Sequence, residues 1–149
     1  MRSFFTSLLL GLVVFSLAGC SSDGGLSGLY QCEGTVTYKG APVVGASVTF
    51  HPDGGGEMRP AGGLTDADGK FKVTTLKSDD GIFPGNYKVT ITKYEETGEV
   101  RRYQDEDGNT QEERLIKNVL PAKYEKAGTS DLTAVIEQKR NTADFALVD

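Results

Sequence analysis

The chain has 149 residues, of which 25% are charged and 38% hydrophobic, with a formal net charge of -5. That length is room for one domain of ordinary size. A single histidine is too few for a histidine-centred metal site, two cysteines are too few for a disulfide-dense scaffold, and the acidic balance argues against nucleic acid, which needs a basic face.

In chain order, the first element is a leader. Arg2 is the only charge before Asp23, and an apolar run extends from Phe4 to Leu17. This is short of the roughly 20 apolar residues of a transmembrane helix. A positive start, a short apolar run and small residues after it predict a secretory signal peptide. Leu17-Ala18-Gly19-Cys20 resembles the lipobox of bacterial lipoproteins. The resemblance implies cleavage between Gly19 and Cys20, lipidation of the Cys20 thiol and acylation of its new amine. Each buried methylene contributes about 0.8 kcal/mol, so two or three acyl chains hold a protein where one is marginal. The expected product is anchored to the cell membrane through Cys20 without spanning it. Ser21 stands where some lipoproteins carry the aspartate that retains them in an inner membrane, which favours the outer membrane in a cell that has one. Losing Arg2 with residues 1–19 removes one positive charge and takes the net from -5 to -6.

Ser21 to Gly28 has the Gly/Ser-rich composition of a flexible tether. Residues 20–29 therefore read as lipidated cysteine and tether, and residues 30–149 as the folded domain. Its first strand alternates Cys32, Gly34, Val36 and Tyr38 with Glu33, Thr35 and Thr37. Cys32 there reads as a small buried hydrophobe. With Cys20 lipidated it has no intramolecular disulfide partner, and an intermolecular one stays open. Ala46, Val48 and Phe50 mark a second strand, followed by a loop from His51 to Gly56. A short strand is expected around Pro60 to Leu64, a tight turn at Thr65–Gly69, and a strand carrying Phe71, Val73 and Thr75. Pro84-Gly85-Asn86 introduces Tyr87, Val89 and Ile91, and Leu132, Ala134 and Ile136 alternate near the end, before Phe145 and Leu147. One helical turn at most fits Pro121–Lys126. Seven short strands with turn signals between them predict an all-β, antiparallel sandwich. Its expected core is Val36, Val48, Phe50, Phe71, Val73, Tyr87, Val89, Ile91, Leu132, Ile136, Phe145 and Leu147.

A charged insertion at about residues 94–117 departs from this pattern. Asp107-Gly108 is a hairpin signal, and the flanks are polar on both faces, so the expected hairpin projects into solvent. A connection this long is functional or disordered.

Three stretches resemble carboxypeptidase regulatory-like domains: Glu33 to Phe50, Gly63 to Phe71, and Pro84 to Ile91. Small bacterial lipoproteins of this kind also carry a late Leu-Pro-Ala-Lys-Tyr segment, here Leu120 to Tyr124. The resemblance implies a seven-stranded antiparallel transthyretin-like, Ig-like β-sandwich over residues 30–149, without catalysis of its own. The motifs themselves are turn and strand-start devices and need no ligand.

Residues that could carry chemistry are few. Asp66-Ala67-Asp68-Gly69 and Asp105-Glu106-Asp107-Gly108-Asn109 gather oxygen ligands, but neither matches an EF-hand loop, and no metal site is expected. His51 is the one conventional base, and a nucleophile–base–orienter set is missing, so no catalytic residue and no cofactor are expected. An isopeptide bond at Asn141 lacks a lysine among residues 31–38. Tyr94 and Tyr103, with Asp105 and Asp107, remain candidate ligand-binding residues, against the reading that the tyrosines simply cover the sandwich edge. The expected role is a structural or protein-interaction module of the envelope, with carbohydrate- or calcium-dependent binding as the alternative and an envelope protein or a glycan as partner. The oligomeric state is open.

Overall fold

The computed structural model describes residues 27–55 and 58–149. The leader, the Gly19–Cys20 cleavage site and most of the tether lie outside the described residues. Eleven strand segments follow in order: β1 (Cys32–Tyr38), β2 (Ala41–Pro42), β3 (Ser47–Pro52), β4 (Ala61–Leu64), β5 (Lys70–Lys72), β6 (Gly85–Thr92), β7 (Tyr94–Gln104), β8 (Thr110–Asn118), β9 (Thr133–Ile136), β10 (Asn141–Thr142) and β11 (Phe145–Leu147). One 3-10 turn spans Ala122–Tyr124. Among the described residues no helix is long and apolar enough to cross a membrane.

One sheet is built around β1. On one edge β1 pairs antiparallel with β5 and then β2, and on the other it pairs parallel with β10 and then β11. A second sheet has the order β4-β3-β6-β9, all antiparallel. The two face one another, because Phe50 of β3 packs at ring-centroid distances of 6.2 and 6.3 Å from Phe71 of β5 and Phe145 of β11. Phe71 and Phe145 stack on each other at 14°, and Tyr87 meets Phe50 edge-on. The alternating residues Val36, Val48, Phe50, Val73, Tyr87, Val89, Ile91 and Leu147 are fully or almost fully buried between the sheets. Burying each large apolar side chain contributes roughly 1.5–3 kcal/mol. Ile82, Phe83, Leu120 and Tyr124 add to this core from connections, whereas Leu132 packs against it half-buried.

Four expectations are corrected. Among the described residues the two facing sheets hold nine segments rather than seven, because β1 is long enough to pair two short strands on each edge, which adds β2 and β10. The arrangement is not purely antiparallel, since β10 and β11 run parallel to β1. β3 continues through His51 and Pro52, which pair with Lys88 and Tyr87, so the loop starts two residues later than expected. β5 stops at Lys72 rather than reaching Thr75. There the Asp80 carboxylate accepts the backbone N–H groups of Thr75, Leu76 and Lys77, which folds those residues into a loop.

The junction of β10 and β11 depends on one small residue. Ala143 donates its N–H to Glu33 O at 2.9 Å. The Thr35 N–H, which falls between the two ladders, is taken by Asp144 Oδ1 at 2.8 Å. The Ala143 carbonyl then lies where a side chain at position 34 would stand, and only glycine fits.

Candidate interaction surface

β7 and β8 form a two-stranded arm of their own, paired from Tyr94↔Asn118 to Gln104↔Thr110. It leaves the second sheet through Lys93, directly after β6. Every residue of β7 is exposed, and in β8 only Leu115 and Asn118 are half-buried. A lone hairpin is marginal in water, and cross-strand charge pairs support this one. Arg102 Nε lies 2.7 Å from Glu112 and Arg114 Nη1 3.0 Å from Glu96, and Arg101 also pairs with Glu113. Exposed pairs of this kind contribute only about 0.2–1 kcal/mol each. At the base, the Asn118 side-chain oxygen accepts from Lys93 N and Leu120 N. β7 carries a register shift between Glu96 and Val100.

The arm's turn is a copy of another turn in the domain. Asp105 N donates to Asn109 O and Gly108 N to Asp105 O, while Asp105 Oδ1 accepts from Asp107 N and Asn109 N. Asp66 makes the same four bonds with Lys70, Gly69 and Asp68. The glycines sit at φ +80° and +73°, the left-handed conformation such a turn requires. The first aspartate of each loop is therefore committed to backbone amides. Hydrogen bonds from Gln111, then from Asn109 N, hold the Asp105 carboxyl below its ordinary range, burial opposing. Among the described residues no group of three His, Cys, Asp or Glu is placed to hold a metal ion.

The remaining candidates do not converge. Tyr94 stands at the arm base, its hydroxyl donating to Glu125 Oε1 at 3.2 Å. Burial, then the Glu125 charge and hydrogen bond, raise its pKa. Tyr103 lies opposite Gln111, near the tip, and Tyr94 opposite Asn118. Positions 111 and 118 of β8 face opposite sides of the ribbon, so the two tyrosines cannot clasp one ligand. Asp105 and Asp107 lie beyond Tyr103, in the turn. His51 Nε2 lies 2.9 Å from the Thr90 hydroxyl. Asn141 lies opposite Cys32, and its amide is spent on Glu137 and Lys139 of its own loop. Cys32 is buried, and burial followed by the Glu33 charge pushes its thiol pKa from 9.0 up to about 11.

Two hollows were not foreseen, because each is assembled from distant segments. One, of about 720 Å³, is lined by Glu33, Thr35, Lys70, Lys72, Thr142 and Asp144, among others. Of its charged side chains, Lys72 reaches Asp79 at 3.6 Å, Glu33 meets Arg140 at 3.4 Å, and Asp66 and Asp144 accept backbone amides. The other, of about 510 Å³, lies at the arm base between Tyr38, Lys117–Pro121 and Asp149. Around it, Asp149 gathers Lys39 at 2.8 Å, the Tyr38 hydroxyl, and Lys123 through its backbone oxygen. Hydrogen bonds to Lys39 and Tyr38 hold the Asp149 carboxyl below its ordinary range, and the Asp149 bond raises Lys39.

No family model and no curated protein matches the chain. Among solved structures it is similar to a DUF3823 family protein from Parabacteroides merdae, with 14% identity, a TM-score of 0.39 and 79% of this chain covered. The chain spans 45% of that protein's length. A 9R-lipoxygenase from Cyanothece is matched at 11% identity and a TM-score of 0.36, over 80% of this chain and 16% of the other.

Proposed function

We propose that this protein is a lipid-anchored cell-envelope module, held by Cys20, whose transthyretin-like, carboxypeptidase regulatory-like domain is noncatalytic and meets a partner protein through the β7–β8 arm. The observation that supports the role is the arm itself. A hairpin that adds nothing to the core, yet exposes Tyr94, Val100, Tyr103 and Ile116, is explained by contact with something outside the domain. The lipobox supports the location. The placement of Tyr94 and Tyr103 on opposite faces argues against a stacked sugar, and the committed oxygens of Asp105 argue against calcium.

The test uses the full chain expressed in a bacterial envelope. Wild type is expected in the membrane fraction and Cys20→Ser outside it or unprocessed. Replacing residues 95–117 by a two-residue Asn-Gly turn is expected to leave membrane attachment and thermal stability unchanged and to abolish cross-linking to neighbouring chains. Membrane fractionation of Cys20→Ser identical to wild type removes the anchor. Cross-links that survive loss of the arm remove its role.

A further inference from the structure

The two edges of the arm are unlike. β7 is interrupted by the register shift at Glu96/Val100, and Gly98 stands there at φ +79°. Bulges of this sort blunt an edge. β8 runs through nine residues without a shift, a proline or a left-handed residue, and among the described residues it pairs with β7 alone. Leu115 O accepts from Thr97 of β7 at 3.1 Å. Backbone groups alternate along a strand, so those of Glu112, Arg114, Ile116 and Asn118 point outward, unpaired by any strand. This is an edge open to strand addition.

We infer that the strand added there is β8 of a second copy of this chain, antiparallel about a two-fold axis at Leu115. Charge selects that register. Arg114 would meet itself if the axis stood one residue earlier, and Glu113 would meet itself two residues earlier. With the axis at Leu115, Glu113 falls opposite Lys117 of the other copy, twice. Lys117 makes no ion pair among the described residues. Within each arm Arg101 already pairs with Glu113, and Glu95 lies opposite Lys117. A row across the four strands then alternates in sign: Arg101, Glu113, Lys117 and Glu95. On the other face the Arg114 stem covers Ile116, which is 62% exposed in the single chain.

The same register carries a second complementarity. Thr110 falls opposite Leu120, so the turn of each arm, with Asp105, Glu106 and Asp107, arrives beside the hollow at the other copy's arm base. The charged residues that line that hollow are Lys117 and Asp149, and Lys39 and Lys123 stand behind Asp149, each bound to it. Three lysines there outnumber the Asp149 carboxylate, so an acidic tip meets an end of net positive charge, and the two-fold makes the exchange reciprocal. A nine-residue edge is small beside the roughly 1,000 Å² of a stable interface. The pairing is therefore favoured when a membrane confines the copies, and in this respect it rests on the anchoring reading.

The test is thiol cross-linking of the full chain in its membrane. Opposed residues of a non-hydrogen-bonded antiparallel pair have Cα atoms about 4.5 Å apart, within disulfide reach. Under mild oxidation, Leu115→Cys is expected to give a species of twice the mass. The parent chain, with Cys20 and buried Cys32, is expected to give none. So is Gln111→Cys, whose two copies stand eight residue positions apart, about 26 Å. Adding Glu106→Lys and Asp107→Lys to Leu115→Cys should cut the yield several-fold. A monomeric Leu115→Cys chain, equal cross-linking at 111, or a cross-link from 115 to a different protein overturns the pairing. Fractionation of the same cells reads the anchor separately: a membrane-bound monomer fails the pairing alone, and a soluble cross-linked dimer fails the anchor alone.

Discussion

Replacing Gly34 by alanine tests the account of the β1 junction. The new Cβ would overlap the Ala143 carbonyl oxygen outright, standing 2.6 Å from its carbon and 3.0 Å from the Phe71 ring. Both backbones are fixed, Ala143 by its bond to Glu33 O and the next residue by the Asp144 carboxylate on Thr35 N–H. Relief requires β10–β11 to move away. Overpacking of this kind costs about 1–3 kcal/mol, and sometimes more, and each hydrogen bond stretched in the process adds about 1 kcal/mol. The sum is about 3–5 kcal/mol, against a total of about 5–15 for a domain. At this size a kilocalorie shifts Tm by about 3–5 °C, so the expected fall is about 10–20 °C. Urea and thermal unfolding of the variant would measure it. Gly128→Ala, where no atom lies within 4 Å of the new carbon, serves as the control and should stay within about 0.5 kcal/mol of wild type. A Gly34→Ala midpoint as close to wild type as the control's would refute the steric account.

The Cys32 thiol ionises near 9.0 when ordinary and at about 11 in the folded chain. Between those values the native state holds a proton that the unfolded chain has lost, so stability falls as pH rises from about 9 to 11 and is fully present below that window. Cys32 contributes up to about 2–3 kcal/mol to this slope. Burial raises the Tyr87 hydroxyl in the same direction, so urea midpoints of Cys32→Ala against pH should show a shallower slope rather than none. The paired turns predict unequal costs for one substitution. Asp66→Ala loosens the connection of β4 to β5 and should lower the global unfolding free energy by about 1–2 kcal/mol. Asp105→Ala removes the same bonds from the arm and should speed amide exchange in residues 94–118 while leaving the Tm unchanged.

Alternation in the sequence reports which face of a strand is buried, and that is why Val36, Val48, Phe50, Val89 and Ile91 were legible as core. It does not report which strand lies alongside. The parallel pairing of β10 and β11 with β1 follows from a return of the chain across some hundred residues, and no local pattern encodes it. β2 and β10 are two residues long, too short to show a period. Tyr124 reaches the core from a 3-10 turn and Ile82 from a single β-bridge to Tyr30, both too short to show a period. The arm was legible as a hairpin through Asp107-Gly108. The odd spacing of Tyr94 and Tyr103 already placed them on opposite faces of a continuous ribbon. The hollow at the arm base was not legible, because Tyr38, Lys117 and Asp149 meet only in the fold.

The position of β1 has a mechanical consequence. Among the described residues it is the first full strand, and it is clamped on both edges, by β5 and β2 on one side and by β10 and β11 on the other. Tension entering through the chain before Cys32 runs along this strand. Because the final strands lie parallel to it, a pull between the two ends of the domain drags β1 lengthwise past them. Its ladders must then yield together, in shear, instead of opening one rung at a time. Resistance to stretching is thereby concentrated in the element nearest the point where the load enters.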